Sequence, residues 1–327
     1  MRTPARTCAR MKGLEISMKR FAWLLFVLSL PAAAQPYKMA VIGLVHSHVW
    51  GHLPRMAKSS EVKLVGISES IPDLVAEAKK VVGETVPIYS DYKKMLDEAK
   101  PDLVWSFVAN NQHLEIVQAC APRGIHVMFE KPLAATYKES LAVQALARKH
   151  HIKVMTNYQM AWWGANYSAK QQVDAGAVGQ VWRLHGIVGH GGPGSSGARN
   201  QYFFEWLTDP VKNGAGALMD FGCYNALWSL WYLGKPESVY AQVNQLRPQT
   251  FPKVEDNSTM ILHYKNAVRF REIACSGRDD RALPDGDLSI QLDRLANIFF
   301  THERNDGSTF STRRSGRGRT NERVQLL

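Results

Sequence analysis

From residue 38 onward the apolar positions fall into short runs separated by longer amphipathic stretches. Runs at 38–43, 63–68, 86–89, 103–107, 125–129 and 153–157 read as strands. The intervening stretches, one from the first strand to about residue 57 and then 72–82, 92–99, 113–121 and 137–150, read as helices. Strands that are apolar throughout and alternate with helices predict a parallel sheet buried on both faces, the doubly wound Rossmann arrangement of an α/β domain. We place this domain at 37–157. Beyond Tyr158 the rhythm changes to longer strands at 181–188, 238–245 and 259–264 around a helix at 217–233, which Gly234 and then Pro236 close. This predicts an α+β domain over 158–268, built on an open, mostly antiparallel sheet. Such a sheet leaves a face for a second copy of the chain, so a homo-oligomer is an expectation.

The two ends depart from this pattern. In residues 1–34, Lys19 and Arg20 precede an apolar run at 21–30, then Pro31 and the small residues Ala32, Ala33 and Ala34. That order is a secretory signal. Cleavage near Ala34 and a periplasmic or extracellular mature protein are the expectation. A run of about ten residues is half of what a helix needs to cross a bilayer, so no membrane anchor is expected. At the other end, 269–327, lysine is absent while arginine becomes frequent, as in Arg313, Arg314, Arg317 and Arg319. A basic tail for an anionic partner is one reading. A disordered or frame-shifted terminus, which would truncate the second sheet, is the reading that weighs more.

The formal charge of +11 suggests nucleic acid until the leader is set aside. Its six basic residues stand against Glu15 alone, so the remainder carries +6, spread along the chain, and no nucleic-acid partner is expected. With Cys8 in the leader, Cys120, Cys223 and Cys275 remain, without the spacing of a disulfide framework or a zinc site.

Candidate chemistry gathers where strands end. The first strand runs into Gly43-Leu44-Val45-His46-Ser47-His48, the place of a dinucleotide-binding turn, although only the first glycine of a GxGxxG pattern is present. Gly43 can make the tight turn, and the helix N-terminus behind it can face a pyrophosphate. Glu69 follows the second strand, 26 residues on, where an acid can accept from a ribose diol. His46, His48 and His52 cluster here, and the spacing of His48 and His52 puts two imidazoles on one helical face. Their spacing supplies no third ligand, so no metal is expected. The fifth strand ends in Glu130-Lys131-Pro132, where proline restricts the residue before it. An ammonium held there can stabilise negative charge on a substrate oxygen, and a structural ion pair is the competing reading.

With Asn110-Asn111-Gln112-His113 after the fourth strand, Glu130-Lys131-Pro132 resembles the Gfo/Idh/MocA oxidoreductases over roughly 38–264. The resemblance implies NAD or NADP as cofactor and a sugar, polyol or sugar derivative as substrate. It makes Lys131 the residue that contacts substrate and nicotinamide, and places Asn110 and His113 along the cofactor. The family's second catalytic element, a DxGxH-like helix after a glycine-rich run, corresponds to Gly214-Ala215-Gly216-Ala217-Leu218-Met219-Asp220-Phe221-Gly222-Cys223-Tyr224, with Tyr224 where histidine is usual. Asp220 and Tyr224, four apart, are expected on one helical face as substrate ligands and proton-transfer groups. Tyr224 in that role needs its phenol pKa lowered, with Lys131 the candidate cause. Trp162, Trp163 and Trp228 are candidates for stacking on a pyranose or for ordinary packing, and the glycine-rich run at 189–197 is expected to be a loop. Two other functions fit the same residues: an NAD-dependent glycoside hydrolase, and an exported sugar-binding protein without turnover.

Overall fold

The computed structural model describes residues 35–181, 183–190, 200–265, 269–276 and 288–291. The leader, most of the glycine-rich run and the arginine-rich end lie outside the described residues. Six strands, β1 (Tyr37–Ile42), β2 (Val62–Ser68), β3 (Ile88–Tyr89), β4 (Leu103–Ser106), β5 (His126–Glu130) and β6 (Val154–Asn157), form one parallel sheet in the order β3-β2-β1-β4-β5-β6. The order reverses between β1 and β4, which opens a crevice at the carboxyl ends of the strands. Helices α1 (Val49–Lys58), α2 (Pro72–Val82), α3 (Tyr92–Ala99), α4 (His113–Cys120) and α5 (Tyr137–Lys149) connect them.

Alternation along β1 shows why both faces are covered. Ala40 and Ile42 pack with Leu96, Val117, Phe129 and Val143, while Met39 and Val41 pack with Leu53, Ile67 and Phe107. A strand flanked by helices on both sides has no polar face to offer, which is why its sequence is a continuous apolar run.

The second domain begins with α6 (Gly164–Asp174). A five-stranded sheet follows, from β7 (Arg183–His190), β8 (Ser238–Asn244), β9 (Asn257–His263), β10 (Arg269–Ser276) and β11 (Leu288–Gln291), in the order β11-β7-β10-β9-β8. Among the described residues of this sheet, only the β7–β10 pairing is parallel. Strands β10 and β11 lie past residue 268, so the sheet continues into the segment whose composition suggested an atypical end. Among the described residues, four helices run between β7 and β8, α7 (Gln201–Leu207), α8 (Pro210–Asn213), α9 (Ala217–Asp220) and α10 (Gly222–Leu233). The single helix expected at 217–233 is therefore two, broken at Phe221. Tyr224, Trp228, Leu184 and Leu262 centre the core of this domain. Among the described residues no helix is long and apolar enough to cross a membrane.

Candidate active site

The site is assembled at the carboxyl edge of the parallel sheet. Gly43 leaves β1 with φ of +77°, and a side chain there would run into Val108 and the Phe107 backbone, so the turn is open to glycine alone. The loop that follows is tied to its neighbours: Gly43 N donates to Ser68 O at 2.8 Å and His46 N to Phe107 O at 3.1 Å. Glu69 is buried beneath it. One carboxylate oxygen accepts from Leu44 N at 2.8 Å and the other from Ser70 N and Ile71 N. The acid placed by sequence for a ribose thus also pins the loop, and a ribose would share it. Ser47 lies in the turn that leads into α1, and its carbonyl accepts from Trp50 N.

The histidines of this loop separate into two environments. His46 is enclosed, its ring 4.8 Å from Phe203 and 5.5 Å from Trp206 of α7, and burial holds its pKa well below the ordinary imidazole value. His48 occupies the N-cap position of α1 without capping it. Its Nδ1 instead lies 2.8 Å from Glu130 Oε2. His52, one turn on, brings Nε2 to 3.9 Å from Glu130 Oε1, and Asn157 Nδ2 donates to that same oxygen at 2.9 Å. Burial works against the Glu130 charge, yet the His48 and Asn157 hydrogen bonds hold its pKa below the usual carboxylate range.

Next in the chain, Lys131 is buried with its Nζ hydrogen-bonded to the Asp220 carboxylate and, at 3.0 Å, to the Asp220 carbonyl oxygen. The Lys131–Pro132 peptide bond is cis. Beyond it, Thr136 and Glu139 form a capping box that starts α5, so the turn is held between a buried strand and a capped helix. Burial pulls the Lys131 pKa down, but the opposing charge of Asp220 outweighs it and leaves the pKa above the ordinary lysine value.

The break at Phe221 explains how Asp220 meets Lys131 twice. In a continuous helix Tyr224 N would bond to Asp220 O; here it bonds to Phe221 O at 3.0 Å. The freed Asp220 carbonyl accepts from Lys131 and from Cys223 Sγ. Gly216 and Leu218 donate their amides to one Glu255 carboxylate oxygen at 2.8 and 3.0 Å, which fixes α9 from outside. Asp220 also lines a shallow, open cleft with Leu207, Thr208, Phe251 and Val254.

Tyr224 does not have the lowered pKa that the sequence reading required. It is 3% exposed, stacked on Trp228 with ring centroids 5.7 Å apart, and burial raises its phenol well above the ordinary value. Its ring, with that of Phe221, lies under Lys131 Nζ at 5.8 and 5.5 Å from the centroids. Trp163 packs into the same core cluster and Trp162 stands half-exposed in the turn before α6.

Asn110 and His113 lie behind the crevice. Asn110 Nδ2 donates to Asn213 Oδ1 at 2.7 Å and to Asn213 O at 3.1 Å, linking the end of β4 to α8. His113 stacks on Phe129 at 4.1 Å and its Nδ1 lies 2.9 Å from Leu133 O; burial pushes its pKa down to about 4. Asn110 Oδ1 and His113 Nε2 are buried without a partner among the described residues. With the Gly43 turn, these two orphaned polar atoms fit a polar ligand such as a dinucleotide, while the first amides of α1 already bond to His46 Nδ1 and to the carbonyls of His46, Ser47 and His48. The sequence reading missed Asn157, Asn213 and Glu255. Asn213, next to Gly214, carries the composition of a loop, and nothing in the spacing ties Glu255 to Gly216.

Comparison with known proteins agrees with this geometry. Residues 37–158 match the family described as an oxidoreductase family with NAD-binding Rossmann fold, and 167–281 match the GFO/IDH/MocA C-terminal domain. An uncharacterized oxidoreductase of Schizosaccharomyces pombe is 25% identical over 230 residues, 70% of this chain and 61% of that protein. Levoglucosan dehydrogenase of Pseudarthrobacter phenanthrenivorans is 26% identical over 221 residues, 64% of this chain and 53% of that protein. The chain therefore spans less than two thirds of these relatives. A solved structure of levoglucosan dehydrogenase with NADH and levoglucosan has the same fold, with a TM-score of 0.68 and 22% identity, covering 86% of this chain and 81% of that one.

Proposed function

The chain belongs to the Gfo/Idh/MocA oxidoreductase family, and from that premise we propose that it transfers hydride between NAD(P) and a hydroxyl-bearing carbon of a sugar, polyol or sugar derivative. The observation that carries this reading is the buried Lys131–Asp220 pair at the sheet's carboxyl edge. The bound nicotinamide would supply or accept the hydride. The turn at Gly43 and Glu69 would hold the dinucleotide.

Lys131 carries a fixed positive charge in a site shielded from water, where a charge acts on its neighbours far more strongly than in solution. A substrate oxygen that joins its hydrogen bonds becomes negative as its proton leaves ahead of hydride in oxidation, or as hydride reaches the carbonyl carbon in reduction, and the ammonium stabilises that charge. Asp220, already against Lys131, is the group placed to accept the hydroxyl proton in oxidation and return it in reduction. The shallow cleft beyond Asp220, lined by Thr208 and Phe251, offers a polar and an apolar contact to a substrate approaching Asp220.

The test is to incubate the purified protein with NAD+ or NADP+ and a panel of aldoses, anhydrosugars and polyols, following reduced nicotinamide. Turnover with at least one is the expected result. Absence of both nucleotide binding by calorimetry and turnover would overturn the reading. The leader pattern at 19–34 supports an exported site of action, which N-terminal sequencing of the mature protein checks. Exposed Val239, Tyr240 and Val243 on the edge strand β8 support association of copies through the second sheet. If Tyr240→Lys leaves the mass in light scattering unchanged from a dimeric parent, that surface is not the interface.

A further inference from the structure

We propose that His46, His48, His52 and Glu130 form a binding site for a divalent transition-metal ion, with Zn2+ as its representative. The helical pair His48 and His52 presents two imidazoles on one face of α1, and the fold supplies what their spacing could not. Glu130, from the end of β5, brings its carboxylate between them: Oε2 lies 2.8 Å from His48 Nδ1 and Oε1 lies 3.9 Å from His52 Nε2. His46 completes the set from the loop. One ring nitrogen each of His46 and His48 and a carboxylate oxygen of Glu130 all lie within 4.8 Å of one another.

Donors about 2.0–2.1 Å from a tetrahedral Zn2+ stand roughly 3.4 Å apart, so these distances need side-chain rotations rather than a change of fold. The chemistry of the set agrees: imidazoles with one carboxylate suit Zn2+ and its neighbours, and are poor partners for Mg2+ or Ca2+. The site also has the outer support that metal carboxylates show. Asn157 Nδ2 holds Glu130 Oε1 at 2.9 Å, and Trp105 packs at a tilt against the His52 ring with centroids 4.5 Å apart. A structural His48–Glu130 ion pair explains one contact. It does not explain why a second imidazole, that of His46, shares the space around this buried carboxylate and a third, that of His52, stands 3.9 Å from its other oxygen.

An ion here ties the loop after β1 to the strand end that carries Lys131. The site is read independently of hydride transfer, so it is tested without turnover. Chelator-treated full-length protein is dialysed against Zn2+ and, separately, Co2+, with bound metal measured by mass spectrometry and the Co2+ visible spectrum recorded. We expect one equivalent per chain, a four- or five-coordinate Co2+ spectrum, and a rise in melting temperature with Zn2+. His48→Ala and His52→Ala replace side chains that are 33% and 19% exposed, and circular dichroism checks that each variant stays folded. Each is expected to weaken Zn2+ binding at least 100-fold and abolish the thermal shift. Failure of the parent protein to bind stoichiometric metal would overturn the proposal. So would undiminished binding by the folded double variant. A chain that binds Zn2+ at this site yet neither binds nucleotide nor shows turnover overturns the hydride-transfer reading and leaves this one standing.

Discussion

At the scale of single residues, the site divides into groups that hold charge and groups that hold shape. Lys131 and Asp220 form a buried pair, and such a pair is costly to break because the remaining partner is left charged in an apolar setting. Lys131→Met is therefore expected to lower kcat by about 10²–10³-fold, the loss seen when one donor to a developing oxyanion is removed. Asp220→Asn should cost about 10²–10⁴-fold, the contribution of a positioned proton-transfer group. Tyr224→Phe should cost less than about 10-fold, since its phenol is buried with a raised pKa and its ring is what meets Lys131. Steady-state kinetics on the three variants checks all of this, and a Tyr224→Phe loss equal to that of Asp220→Asn would return the proton to the phenol. Lys131 was legible in the sequence because strand, charge and proline come together there. The raised pKa of Tyr224 was not, because burial depends on Trp228 and on strands far along the chain.

His113 gives a second prediction at this scale. Its folded pKa of about 4 lies below the ordinary 6.5, so between those values the unfolded chain binds more protons than the folded one. Stability must then fall as pH drops from neutrality through this window, by about 2 kcal/mol at pH 5 from this group. His113→Gln keeps a donor for Leu133 O and removes the titration. Denaturant unfolding at pH 7.5 and 5.0 should show a shallower pH dependence in the variant, and equal slopes would reject the assignment.

At the scale of elements, the parallel sheet was readable almost strand by strand, because strands buried on both faces are written as continuous apolar runs between amphipathic helices. The second domain was less so. The sequence read 217–233 as one helix, and the break at Phe221 depends on tertiary partners: Glu255 takes the amides of Gly216 and Leu218, and Lys131 takes the carbonyl of Asp220. None of these is local to the motif. The close approach that seats α9 falls at Gly216, where a Cβ would collide with the Glu255 carbonyl and the Val254 side chain. Gly216→Ala should therefore destabilise by about 3 kcal/mol, as overpacking against backbone does. Glu255→Gln, which keeps an acceptor without the charge, should cost about 1 kcal/mol. Urea titrations of both variants check the ranking, and an equal cost would mean that the contact at Gly216 relaxes freely.

At the scale of the whole molecule, the site exists only if the two domains hold a fixed relation, since Lys131 comes from the first and Asp220 from the second. The Asn110–Asn213 pair is built into that relation. Both side chains are buried, and Asn213 Nδ2 also donates to Leu207 O at 3.0 Å and Ala215 O at 2.6 Å. One amide thus holds the ends of α7 and α8 and the start of the glycine run against β4. Asn213→Ala would orphan the Leu207 and Ala215 carbonyls and one bond of Asn110, and buried groups left unpaired cost about 1–3 kcal/mol each. We expect a loss of about 3 kcal/mol in Asn213→Ala and a smaller loss in Asn110→Ala. Because the two share a bond, the double variant should lose less than the sum, by about 1 kcal/mol or more. The same cycle run on kcat separates architecture from packing. If the pair sets the distance between Lys131 and Asp220, either substitution lowers kcat in protein that is still folded. Unchanged kcat in a stable, folded Asn110→Ala would show that the domains keep their relation without it.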